Sequence, residues 1–139
     1  MIAPWQETKW IVLSSCLFLI PSWYAFQNHL YGNAWLLLTM SLISANYWRN
    51  ARISWRRTID LIFSKLMTIL FVTKAFFYIN TLCSQVVCIV SATGVVYFYY
   101  YSCTFHSEKK ECWVQYHVLF HCFMTVEMWL VVCHSISSK

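Results

Sequence analysis

The sequence predicts an all-α integral membrane protein with five transmembrane helices, and three observations carry that prediction. Of its 139 residues 60% are apolar and 19% aromatic, while only 11% are charged, against about a quarter charged in a soluble domain. Apolar surface on that scale cannot be buried in one small core, so its natural solvent is lipid. Two glycines and two prolines leave little turn chemistry, which argues against a sheet or barrel and for long helices on short loops. The basic residues, finally, cluster in breaks between apolar runs.

The first apolar stretch covers residues 10–26 and contains Pro21, predicted to kink it near its far end. The segment before it holds Glu7 and Lys9, and no small-x-small cleavage site precedes WYAF (23–26). It therefore reads as a membrane helix and not as a cleaved leader. The second stretch, 34–48, is short for a span at about 1.5 Å of rise per residue and needs its flanks or a thinned bilayer to cross. The third (58–79), fourth (82–105) and fifth (112–135) are each near the roughly 20 residues a span requires. Short breaks separate them: HLYGN (29–33), RNARISWRR (49–57), NT (80–81) and HSEKKE (106–111). No repeat or linker interrupts residues 1–139, which read as one transmembrane domain.

If successive spans alternate sides, one side receives Lys9, Arg49, Arg52, Arg56, Arg57, Lys109 and Lys110, and the other only Lys139. Short loops rich in Lys and Arg stay cytoplasmic, which predicts a cytoplasmic N-terminus and an exoplasmic C-terminus. A four-span count would scatter these charges. The net charge of +5 then marks topology and anionic headgroups, not nucleic acid. Of seven cysteines, Cys16, Cys88 and Cys122 fall within spans, where free cysteine acts as a small hydrophobe. Cys83 and Cys133 are the pair placed to meet at the exoplasmic boundary.

Ionisable groups inside spans cost a few kcal/mol each unless paired or hydrated. On the third span Lys74 lies about 40° around the helix from Asp60, sharing a face with Ser64, Met67 and Phe71 that should look inward. Lys65 points elsewhere and can snorkel. Glu127 on the fifth span is placed at comparable depth to Lys74, which predicts a structural ion pair between them.

Within WVQYHVLFH (113–121), His117 and His121 stand four apart on one helix face, the geometry that offers two imidazoles to one Zn²⁺ or to interhelical hydrogen bonds. Asp60, Ser44 and Trp48 belong to the same cytoplasmic level, so three helices should deliver polar or aromatic groups together. A catalytic zinc wants three protein ligands; Asp60, His106 or Cys112 are the candidates to join the pair. No GxSxG, phosphate loop or CxxC competes, and the HxxxH lacks a metalloprotease glutamate.

SANYW (44–48), WRRTID (55–60) and WVQYHVLFH together resemble the CREST superfamily of transmembrane hydrolases, which includes alkaline ceramidases and adiponectin-type receptors. The resemblance implies that Ser44 matches the family serine, Asp60 its aspartate, and His117 and His121 its closing pair, which holds a zinc whose water attacks a lipid amide. Trp48 stands where that family has a further histidine, and the chain has five spans where the family has seven.

The sequence thus reads as a small five-pass membrane protein, a non-enzymatic structural or assembly component with a buried polar cluster at its cytoplasmic side and no cofactor. Its partners are the lipid bilayer and a membrane-protein partner or second copy. The first alternative is a reduced zinc-dependent lipid amide hydrolase with Ser44 and Asp60 in catalytic roles. The second is a transporter or channel component using Lys74 and Glu127, which would need oligomerisation to enclose a pore. Expected of the histidines themselves are hydrogen bonds to Asp60 and Ser44.

Overall fold

Each apolar stretch becomes a helix, because in lipid the backbone must satisfy its own hydrogen bonds. A computed structural model of the chain describes residues 3–137. Its elements are α1 (Trp5–Ser15), a 3₁₀ turn (Cys16–Phe18), α2 (Leu19–Gln27), α3 (Tyr31–Trp48), α4 (Trp55–Tyr78), α5 (Leu82–Ser107) and α6 (Trp113–Ser137). No strand occurs among the described residues. Four helical segments are long and apolar enough to cross a membrane: Trp5–Gln27, α4, α5 and α6. α3, with 18 residues, is not among them. Lys139 lies outside the described residues.

The break at Cys16–Phe18 is Pro21 acting at a distance. Proline lacks the N–H that would bond to residue 17 and its ring crowds that carbonyl, so the disturbance falls one turn before the proline, not at the far end of the helix. A 3₁₀ turn absorbs it and α1 continues into α2.

Helices in lipid gain nothing from leaving water, so close packing and interhelical hydrogen bonds must hold them together. Small residues line the seam between the first segment and α3. Ser15, Ser22 and Ala25 are buried on one side and Ala34, Ser41 and Ser44 on the other. Ser22 donates to the carbonyl of Ala34 at 2.8 Å, and Ser15 to the Ser44 hydroxyl at 3.0 Å. α6 is the central helix, packing on α1, α2, α4 and α5. Gly94 lets α5 approach it: a Cβ there would run into the ring of Phe123.

With so few glycines, two helices end on other residues in the left-handed conformation. His29 (φ 58°) closes α2 and Lys109 (φ 55°) closes α5. In each, the next residue's N–H reaches back to form a 2.9 Å bond, Leu30 to Ala25 and Lys110 to Phe105, the usual glycine stop at a cost of roughly 1–2 kcal/mol. Lys110 also pairs with Glu108 at 2.6 Å. That hydrogen bond holds its ammonium above the ordinary lysine value, though an exposed pair adds little stability.

The inward face of α4 is the one its spacing predicts, with Asp60, Met67, Phe71 and Ala75 buried. α5 stands apart from it. It packs on α6 and touches α4 only sparsely, leaving a cleft between α4 and α5.

Candidate functional site

That cleft holds the polar cluster. A cavity of about 290 Å³ is lined by Trp48 from α3, Asp60, Ser64 and Ile69 from α4, Val95 and Tyr99 from α5, and His117 and His121 from α6. Most of its wall is aliphatic or aromatic, and Lys65 and Thr68 of α4 are its further polar side chains. A second cavity, also about 290 Å³, shares Trp48, Leu61, Tyr99 and His117 with the first and extends past Arg57, His106 and Ser107 to the end of the bundle. The cluster thus lies between one space walled by α4 and α5 and another leading toward the basic loops.

Asp60 is 5% exposed and its Oδ1 has no hydrogen-bond partner. Ser44 of α3 is buried beside it and accepts from Ser15 at 3.0 Å. Trp48, from the last turn of α3, is buried with its Nε1–H unpartnered. Buried polar groups are normally satisfied, so two orphans beside one cavity mark it as a place for a ligand or water. The indole of Trp48 packs edge-on to His117, ring centroids 4.7 Å apart.

The histidines do not bond to Asp60 and Ser44 as the sequence reading expects. His121 Nδ1 meets Ser14 Oγ at 2.8 Å, and His117 Nδ1 meets Ser102 Oγ at 3.1 Å. Helix rotation decides this: α1 and α5 place their serines beside the Nδ1 edges, which leaves Nε2 as the nitrogen available to the cavity. Ser14 also has the carbonyl of Ile11 at 2.9 Å. The single hydroxyl proton serves either that carbonyl or Nδ1, according to the His121 tautomer. Polar residues at 14, 15 and 102 inside otherwise apolar runs were the available signal for these partners.

The centroids of His117 and His121 lie 5.0 Å apart, close to the roughly 5 Å expected of two imidazoles on one tetrahedral zinc with Zn–N near 2.0–2.1 Å. A catalytic site needs a third ligand. Among the described residues no group of three or more His, Cys, Asp or Glu is placed to hold a metal. His106 packs on Trp113 at 4.8 Å instead. Trp48 occupies the flank of His117, and its indole is a donor that cannot bind metal.

Lys74 and Glu127 do not pair. Lys74 donates to Asn33 Oδ1 and lies over the Phe71 ring at 5.5 Å, while Glu127, 1% exposed, keeps an unpartnered Oε1. Depth separates them: Lys74 is four residues from the end of α4, about 6 Å of rise, and Glu127 is ten from the end of α6, about 15 Å. Cys83 and Cys133 are free thiols. One contact that the sequence did not suggest ties the N-terminal helix to α6, where Trp113 Nε1–H donates to Glu7 at 3.1 Å.

No protein-family model matches the chain, and no curated protein or solved structure matches it. The class is set by the helices alone: an all-helical chain with four segments suited to crossing a membrane and, among them, a cavity with polar groups in its wall.

Proposed function

We propose that the chain is a five-pass integral membrane protein, N-terminus cytoplasmic and C-terminus exoplasmic, that acts without catalysis as a membrane component and holds a lipid in the cleft between α4 and α5. The observation that carries this reading is that Asp60, Trp48, His117 and His121 line one cavity whose remaining wall is mostly apolar, with Ser64, Lys65 and Thr68 of α4 as further polar side chains. A lipid with an uncharged polar head suits it, since the cluster offers an indole donor, a carboxyl acceptor and two imidazole nitrogens.

α3 is the fifth span. Its 18 residues rise about 27 Å, slightly under the roughly 30 Å of hydrocarbon. Part of its lower apolarity follows from its place, because Asn33, Ser41 and Ser44 are buried against protein and not exposed to lipid. This count puts Lys9, the arginines of the second loop and Lys109 with Lys110 at one end, as a cytoplasmic face requires. The outward aromatics, including Trp23, Phe76 and Phe77, then face lipid or partner helices.

Filling the cleft tests the reading. Val96→Trp, at the exposed mouth, should abolish co-purification of a lipid seen with the unaltered chain by native mass spectrometry, without loss of folding. Unchanged lipid retention would refute it. The second reading is the zinc-dependent hydrolase of CREST type, favoured by the two Nε2 atoms and the orphaned Asp60 oxygen at one cavity. Stoichiometric zinc in the purified chain, lost in His117→Ala and His121→Ala, would establish that reading over the first.

A further inference from the structure

A different cavity, of about 550 Å³, lies at the end of the bundle opposite the histidines, between the α2–α3 turn and the last turn of α4. His29, Tyr31, Asn33, Lys74 and Tyr78 line it, and no Asp or Glu does. Lys74 has a neutral partner, Asn33 Oδ1. That bond uses one of three ammonium N–H donors, and because Asn33 accepts through Oδ1 its own NH₂ donors remain. His29 and Tyr31 share a hydrogen bond at 2.8 Å. His29 does so from a left-handed backbone, φ 58°, which glycine would adopt without strain, so the chain keeps an imidazole at the cavity where the turn favours none.

Among the described residues the cavity is therefore rich in donors, carries one cation without an acidic partner and is lined by no acidic side chain. Its depth is also specific. Lys74 sits about 6 Å below the end of α4, and the tyrosines sit at helix ends, the level of lipid headgroups. We infer that this cavity binds the phosphate of an anionic lipid headgroup, with Lys74 as the charge that holds it and Asn33 as the group that orients Lys74. A lipid phosphate supplies the missing anion at that depth, with acyl chains running down the apolar face of α4.

The test uses the full chain in detergent, with phosphatidylglycerol, phosphatidylcholine or inorganic phosphate added and bound species counted by native mass spectrometry. The unaltered chain should retain phosphatidylglycerol at least about tenfold better than phosphatidylcholine, the order expected of one charge-assisted hydrogen bond. Lys74→Gln should bring the two lipids level. Asn33→Asp supplies an internal counter-ion without changing shape; it should keep or raise the melting temperature while removing the preference. Arg52→Gln, which removes an exposed cation at the other end, should leave it intact. The inference is overturned if folded Asn33→Asp keeps the preference, if Arg52→Gln weakens it as much as Lys74→Gln does, or if inorganic phosphate alone competes the lipid away.

Discussion

Trp48→His offers the cluster a third imidazole. In the native chain the indole is 7% exposed and packs on His117, Tyr47 and Trp113, with centroids 4.7, 4.7 and 5.8 Å away. Cutting a buried Trp back to Ala costs about 3–5 kcal/mol. Histidine keeps a ring and so should cost about half of that, roughly 2 kcal/mol. A third imidazole beside two whose centroids are 5.0 Å apart completes a three-nitrogen set. Zinc at a hundred times its dissociation constant then returns about 2.7 kcal/mol, enough to offset the loss. Denaturation in detergent with and without zinc, together with metal analysis, reads both terms. The variant should be weaker than the native chain without zinc, recover with it and carry one ion per chain. The native chain should gain nothing. A folded variant that takes up no zinc would refute the placement of Trp48, and a native chain already holding one ion would refute the two-ligand account.

Three further outcomes are expected. Ser14→Ala and Ser102→Ala each strand a buried imidazole Nδ1 and should cost about 1–3 kcal/mol, measured by denaturation, with altered ¹⁵N shifts at His121 and His117 respectively. Gly94→Ala drives a methyl into Phe123 and should cost about 1–3 kcal/mol, recovered in part by adding Phe123→Leu. Lys74→Met and Glu127→Gln should be independent, with a coupling under about 0.5 kcal/mol in a double-mutant cycle; a coupling of several kcal/mol would restore the ion pair.

The helices were legible because lipid imposes one simple rule, that the backbone must satisfy itself, and apolar run length reports it. Predicted and observed ends differ by a few residues, most at the first helix, where the amphiphilic Trp5–Lys9 segment joins α1. The cluster was legible as a level: counting residues from the loops puts Asp60, Trp48 and the histidines at one height, and all four line one cavity. Its wiring was not. Ser14 and His121 are 107 positions apart, and whether they meet depends on the rotation of α1 against α6, which no local pattern encodes. The ion pair failed on depth: the observed helix ends, Tyr78 and Ser137, separate Lys74 from Glu127 by about 9 Å, whereas span ends at 79 and 135 imply only about 4.5 Å. Lys74 met Asn33 instead because both lie within a turn or so of the same end.

The central claim is that a lipid enters between α4 and α5 and reaches the cluster. Photo-crosslinking a lipid with a diazirine in its acyl chain, followed by peptide mapping, tests it most directly. The account predicts labelling concentrated on cavity residues such as Leu61, Thr68, Val95 and Tyr99, and its loss in Val96→Trp. Labelling that simply follows outward exposure, strongest at Phe76, Phe77 and Leu82 and indifferent to Val96→Trp, would contradict it.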